Sequence, residues 1–431
     1  MNRNNPTNSA GTNNLTISSS GIEHRTVHTA PAALYIHKLL PVAVLYFFLN
    51  STGLPVGLYY TAMLSPLFFL WLYVEGKRWL TLKFAVCLSP FVAMHIVHGL
   101  DSPFYYARST LLLWTVFITV YAFRGALLKC KNIERLFEQL IVLNFCAAMI
   151  ALVILFTPAR EILWSTDFSD LGGDGGWAPR LRLLTLEPSV YASLMSPLLI
   201  FTVLRLLRDA GKRNFIYAAM ITIPLLLSQS FGAFSMCTAG LAVGLFPRLR
   251  RLLRRKNSSL FLGLGLILVA GILIVPNPLS RRATQIAAGK DSSAHSRTNN
   301  AFIEAFLVAD SRSLWWGAGL GQAKLFESKV VRSLGFTKTS IPNSIADTFA
   351  NFGIIGVFVK FTIEIYLFFH TRVYTNTFRL AMFVYAFLLQ LTGSHIMEVQ
   401  EYLLWCFAFS PFFPALDLRN SVPRAVRLTV D

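Results

Sequence analysis

The sequence predicts an all-α, polytopic integral membrane protein. Three observations lead there. The chain is 54% hydrophobic and only 14% charged over 431 residues. Its mean hydropathy is +0.54. Its apolar residues gather in blocks of about 16 to 22, close to what a helix needs to cross roughly 30 Å of hydrocarbon. A soluble domain is rarely so apolar.

Taken in order, the blocks give about twelve spans, near 32–50, 56–74, 80–99, 108–125, 136–156, 188–207, 214–228, 232–246, 259–276, 343–368, 377–393 and 402–416. Residues 1–31 are rich in Asn, Ser and Thr and read as a disordered tail without the apolar core of a signal peptide. Residues 417–431 form a second polar tail. The five cysteines (Cys87, Cys130, Cys146, Cys237, Cys406) lie in or beside apolar runs without CxxC spacing, so they read as small buried residues.

The formal net charge of +18 does not imply nucleic acid in such a chain, because lysine and arginine hold loops on the cytoplasmic side of a membrane. The joining segments alternate accordingly. "EGKRW" (75–79), "RGALLKCKNIER" (124–135), "RLLRDAGKRN" (205–214), "PRLRRLLRRK" (247–256) and "HTRVYTNTFR" (370–379) are basic, whereas 51–55, 100–107, 229–231 and 394–401 carry no Lys or Arg. Both termini are therefore expected inside, and two long connections, 157–187 and 277–342, outside. Their basic residues need another explanation. Arg160, Arg180 and Arg182 lie in the first; Arg281, Arg282, Lys290, Arg297, Arg312, Lys324, Lys329, Arg332 and Lys338 lie in the second. Loops this long are functional or disordered, and "TNNAFIEAFLVA" gives the second a helical period. Arginines there imply an anionic ligand, with phosphate the natural candidate for a guanidinium fork.

The stretch "RLRLLTLEPSVYASL" (180–194) concentrates the candidates. Pro188 suits the first turn of a helix and Glu187 the positive end of its dipole. Arg180, Arg182, Ser189 and Tyr191 stand around a helix mouth able to hold an anion, with Glu187 as a carboxylate that can accept a proton. In "GKDSSAHSRTNNAF" (289–302), Arg297 is the stronger anion ligand and His295 a second possible base. Gly317, Gly319 and Gly321 follow no strand, so they read as a tight turn or close backbone approach. Asn343 opens a span, with Asp347 one turn on. An acid inside a span is costly and so is functional or paired. Gly353 and Gly356 read as helix-packing positions. His95, His98 and Asp101, and likewise His395, Glu398 and Glu401, have spacings open to a metal but fit a hydrogen-bonded interface better. "DFSDLGGDGG" (167–176) has the residue types of a calcium loop without its spacing. No metal or cofactor is expected.

In order and spacing these motifs resemble the O-antigen ligase/Wzy-type polysaccharide polymerase superfamily of bacterial inner membranes. An Arg-bearing outer loop ends in "LEPSVYASL" (186–194). "LSQSFGAF" (227–234) joins two spans, and a large outer loop carries "DSSAHSR", "WWGAGLG" and then "PNSIADTFANFGIIG" (342–356). The resemblance covers roughly 180 to 360. It implies a helical fold of the C-type glycosyltransferase kind and metal-independent, inverting transfer from a polyprenyl-pyrophosphate-linked oligosaccharide in the periplasm. Arg180, Arg182 and Arg297 would hold the pyrophosphate together with Ser189, Tyr191 and Asn343, and Glu187 or His295 would act as base. The implied partners are lipid-linked donor and acceptor, membrane lipid, a chain-length regulator and a flippase, with no nucleic acid. The chain departs from the pattern at Pro342-Asn343, where related sequences often have His-Asn, and at Phe231, where an arginine often stands. The missing histidine favours a polymerase over a ligase. A lipid-linked oligosaccharide flippase would instead spread charge along an inner cavity, and the interior here is poor in charge.

Overall fold

The computed structural model describes residues 60–130, 132–165, 179–248, 296–323, 341–394 and 396–416, with the single positions 284, 288 and 325. The expected spans 32–50 and 259–276, both tails, the 167–176 stretch, His295 and His395 lie outside the described residues.

The described chain is almost entirely helical. Its helices are α1 (Tyr60–Val74), α2 (Arg78–Val97), α3 (Pro103–Lys129), α4 (Ile133–Ile154), α5 (Pro188–Arg208), α6 (Lys212–Ser228), α7 (Phe231–Leu245), α8 (Ala301–Asp310), α9 (Ser344–His370), α10 (Thr377–Leu389) and α11 (Val399–Phe409). By length and composition α2 to α5 and α9 are long and apolar enough to cross a membrane; α1, α7 and α10 are shorter and equally apolar. The protein is a multi-pass, all-α membrane protein. All these helices except α8 fall within or overlap expected spans. α8 carries most of the "TNNAFIEAFLVA" period of the second long connection.

Local chemistry sets the starts. Ser102 caps α3 by accepting from the Tyr105 amide, with Pro103 in the first turn. Asn132 and Asn376 cap α4 and α10 by accepting from the amides of Arg135 and Arg379 at 3.0 and 3.1 Å. Side-chain size sets the packing. Gly240 of α7 lets α10 approach so closely that a Cβ there would stand 2.5 Å from the Ala381 carbonyl oxygen, the small-residue contact that membrane helices favour. α5 is the central helix, with 67% of its apolar window buried, while α2 has 11% and presents its sides outward. Among the cysteines only Cys237 and Cys406 are buried; Cys87 and Cys146 are exposed, because their helices turn those faces outward.

Basic residues collect at one end of the bundle, called here the basic end. Glu75 accepts from Lys77 at 2.9 Å and from Lys129. Glu138 accepts from Arg205 and, at 2.6 Å, from Arg213. Arg379 is buried and donates to the carbonyls of Ala408 and Thr371 at 3.0 and 2.7 Å. Above them Phe137, Phe201, Phe378 and Phe413 pack edge to face and stacked, with centroids 4.5 to 5.2 Å apart in the pairs Phe137–Phe201, Phe201–Phe413, Phe137–Phe413 and Phe378–Phe413.

The expected single span at 343–368 is corrected. Lys360 Nζ lies 3.1 Å from Ser344 Oγ, sixteen residues earlier in α9, whereas a straight helix would separate them by about 24 Å. The chain reverses at Gly353, whose φ of 67° and ψ of −165° are not helical, and α9 is a hairpin of two arms, 344–352 and 354–370. A reversal frees backbone groups that need partners. "WWGAGLG" supplies them: the Ala318 and Gly319 amides donate to the Ala350 and Asn351 carbonyls at 2.8 and 3.0 Å, and the Ile354 and Ile355 amides donate to Leu314 and Trp315 at 2.9 and 3.2 Å. Gly317 and Gly353 allow the contact, since a Cβ on either would stand within 2.5 Å of the opposing backbone. This close approach is what the glycine spacing predicted.

Gly353→Ala should therefore strain the backbone and push Trp315 away, lowering stability by about 2 to 4 kcal/mol. The thermal midpoint of detergent-solubilised protein reads the loss; an unchanged midpoint would contradict the clip.

Candidate functional site at the loop end

Opposite the basic end, the chain ends that flank the two long connections meet. Trp164–Ser165 and Arg180–Leu181 form a two-residue antiparallel ladder (β1 and β2), pairing Trp164 with Leu181 and Ser165 with Arg180. Arg180 Nε donates to the Ser228 carbonyl at 3.2 Å, fixing the ladder to the turn between α6 and α7. Arg182 donates through Nη1 to the Leu186 carbonyl at 3.2 Å and through Nη2 to the Glu161 carbonyl at 2.6 Å. Its Nε is buried without a hydrogen-bond partner. Both arginines thus brace backbone, and the fork geometry that suits phosphate is here applied to carbonyls.

Glu187 is extended and exposed just before α5, and its side chain does not cap the helix. Its carboxylate accepts from Ser189 Oγ at 2.9 Å. Tyr191 stands elsewhere: it is wholly buried and donates to Asn144 Oδ1 at 2.8 Å, tying α5 to α4. The helix turns it inward, away from any ligand at the mouth, so the geometry makes it a packing residue.

Arg297 lies in a π-helical turn, Ser296–Asn300, that runs directly into α8. Turns of this kind concentrate at functional sites. Asn343 is buried, with both ends of its amide engaged. Its Oδ1 accepts from the Ile345 and Ala346 amides at 3.0 Å each, capping the first arm of α9. Its Nδ2 donates to the Arg297 and Leu391 carbonyls at 3.1 and 3.2 Å. Asn343 therefore positions Arg297, and its role is a bracket between the π turn, the hairpin and the end of α10. Thr392, just beyond α10, donates to Met236 Sδ at 3.6 Å near the start of α7, which links this cluster to the turn that Arg180 holds.

His95, His98 and Asp101 form a hydrogen-bonded interface. His95 sits between Tyr106 Oη at 2.9 Å and the Trp316 carbonyl at 2.8 Å; His98 Nδ1 meets the Met94 carbonyl at 2.7 Å; Asp101 pairs with Arg312. Gln322 exchanges two hydrogen bonds with the Ser102 backbone, at 2.8 and 2.9 Å. The second long connection is thereby anchored to the α2–α3 turn.

The hairpin also assembles acids and bases that are far apart in sequence. Glu401 accepts from Lys360 at 2.7 Å and from Ser344 Oγ at 2.7 Å. Gln390 donates to Glu364 at 2.9 Å. Asp347 accepts from Asn351 at 2.7 Å and Ser394 at 2.5 Å. The expensive acid in the span is paired, as its cost requires.

One residue escaped the sequence reading. Glu304 of α8 is 6% exposed, and its Oε2 has no hydrogen-bond partner. Burial pushes its carboxyl above the ordinary carboxylate range. The signal was present: an acid on the stripe Ala301, Ala305, Val308, three to four residues apart, falls on the buried face of a helix.

Neither a family model nor a curated protein matches the chain.

Asn343→Ala removes a helix cap and leaves two carbonyls without a donor, a loss of about 2 to 4 kcal/mol. Asn343→Ser keeps a capping oxygen and loses the amide donor, so its thermal midpoint should fall between those of the wild type and the alanine variant. Equal midpoints for all three proteins would remove the bracket.

Proposed function

We propose that the protein is a polysaccharide polymerase of the O-antigen ligase/Wzy-type superfamily in a bacterial inner membrane. On this reading it has about twelve spans and both termini in the cytoplasm. Its loop end faces the periplasm, in a fold of the C-type glycosyltransferase kind. It joins polyprenyl-pyrophosphate-linked repeat units by metal-independent, inverting transfer.

The observation that carries the reading is convergence. Residues 186–194, 227–234, 315–321 and 342–356, with the Ser296–Arg297 end of "DSSAHSR", are the described parts of the stretches that resemble the superfamily, and they meet at one end of the bundle, joined by the Arg180–Ser228, Asn343–Arg297 and Ala318–Ala350 hydrogen bonds. A one-sided site of this kind fits transfer at a membrane face. Among the described residues the interior charges gather around the α9 hairpin, where Lys360 pairs with Glu401, and are not arrayed along a path, which argues against a flippase.

The chemistry asks for cations where the pyrophosphate leaves and a base where the acceptor hydroxyl attacks. Arg297 is the cation of choice, presented by a turn whose backbone Asn343 holds still. Arg180 and Arg182 brace the ladder and the segment leading into α5. Glu187 supplies an exposed carboxylate there. Pro342 stands where the ligase branch has a histidine, which favours polymerisation over transfer to a lipid acceptor core.

Arg297→Ala should lower chain growth about 10²- to 10³-fold without loss of protein from the membrane. Arg297→Lys should restore little, since a point charge replaces a planar fork. Sizing the surface or secreted glycan of cells carrying each variant checks this: single repeat units are expected, and full-length polymer in a well-expressed alanine variant would exclude the assignment.

A further inference from the structure

α8 packs against the first arm of α9 through a seam of small apolar side chains. Ala301, Ala305 and Val308 face Ala346 and Ala350, with Ala318, Ala323 and Ile341 around them. Glu304 belongs to the same buried stripe. A carboxyl in such a seam, with no cation beside it among the described residues and with Oε2 unbonded, is destabilising, and a leucine or alanine would pack better. Its surroundings offer nothing in return. Asp347 on the facing arm is engaged with Asn351 and Ser394, Arg312 beyond the end of α8 is paired with Asp101, and Asp310 at that end is exposed.

Its place relative to Arg297 is informative. The π turn and α8 are continuous, so Glu304 follows Arg297 by seven residues, two turns on, about 10 Å along the axis. In-line displacement at an anomeric carbon puts base and leaving-group cation on opposite sides of that carbon. A carboxylate, an attacking hydroxyl, the carbon and a leaving phosphate oxygen, each at reacting or hydrogen-bonding distance, span a comparable length.

We infer that Glu304 is the general base of the transfer, taking the proton of the acceptor hydroxyl while Arg297 receives the leaving pyrophosphate. The assignment rests on the polymerase reading. In the step, the acceptor oxygen bonds to the anomeric carbon as its proton passes to the Glu304 carboxylate. The bond from that carbon to the pyrophosphate oxygen breaks, and the electron pair leaves on that oxygen as polyprenyl pyrophosphate. Glu304 returns the proton to water. A carboxyl made more basic by burial suits this role better than an exposed one such as Glu187.

The experiment uses full-length protein in detergent, with lipid-linked repeat units extracted from cells lacking the gene, and compares wild type, Glu304→Gln, Glu304→Asp and Asp310→Asn. Glu304→Gln should lose about 10²- to 10⁴-fold in rate and with it the fall in rate at acid pH that protonation of the base produces. Glu304→Asp should retain a measurable part, and Asp310→Asn all of it. Stability supplies a readout that a structural carboxyl would not give. A carboxyl whose folded pKa lies above its unfolded value costs stability as pH rises between the two, so Glu304→Gln should raise the thermal midpoint at neutral pH. An active wild type with an equally active Glu304→Gln, or a lowered midpoint in that variant, overturns the base assignment alone. A wild type that makes no polymer overturns the polymerase reading and the base assignment with it.

Discussion

The rest of the described structure depends on the reversal at Gly353. Backbone polar groups in hydrocarbon must find partners inside the protein, and a helix that turns back at a single residue abandons several at once. The glycine-rich segment at 314–321 answers four of them with hydrogen bonds from its own backbone. The second long connection is therefore pulled into the bundle at that corner. Everything that follows at the loop end, from the Trp316 contact with His95 to the seam between α8 and the first arm, hangs on this clip.

The same reversal explains the interior charges. A straight helix would separate Ser344 and Lys360 by about 24 Å, with Glu401 able to reach only one. Folded, the hairpin brings both to Glu401, and a lysine and a glutamate that would each be costly alone become a hydrogen-bonded set. Removing one partner of such a set is far more damaging than replacing the whole set with apolar residues, so the pair fixes the register of the two arms. Through Ser344 it also fixes the neighbouring Asn343, and through Asn343 the backbone of Arg297. A contact deep in the bundle thus reaches the loop end in three steps.

Much of this architecture is legible in the sequence because hydrophobic length and basic loops are one-dimensional signals. The helices of the bundle from α1 to α7 fall where apolar blocks predict them, and lysines and arginines from separate loops gather at one end as their alternation implies. The close approach at Gly317 is legible too, since three glycines at alternate positions have few other uses. The fold of α9 is not. Its sequence, "SIADTFANFGIIGVFVKF", has the length and composition of one span, and only the partner segment, distant in sequence, makes the break affordable. Tyr191 shows a second limit: a residue two or three positions into a helix faces inward or outward by a rotation that the motif alone does not specify. Arg180 and Arg182 show a third, because a guanidinium matches a carbonyl as readily as a phosphate.

α8 sharpens the point about environment. On a soluble protein its apolar residues would face inward and its acid outward. Here Phe302, Ile303 and Phe306 are 43 to 51% exposed while Glu304 is buried, and Trp315 nearby is exposed as well. Its buried stripe of Ala301, Ala305 and Val308 is small and apolar, and its larger apolar side chains lie on the outer face, as an apolar medium there would favour. Glu304 lies on the opposite face, in the alanine seam against the first arm of α9. The reversal that folds α9 back on itself thus also makes the setting of the carboxyl: its first arm is the surface against which Glu304 is buried, and among the described residues no hydrogen bond reaches Oε2.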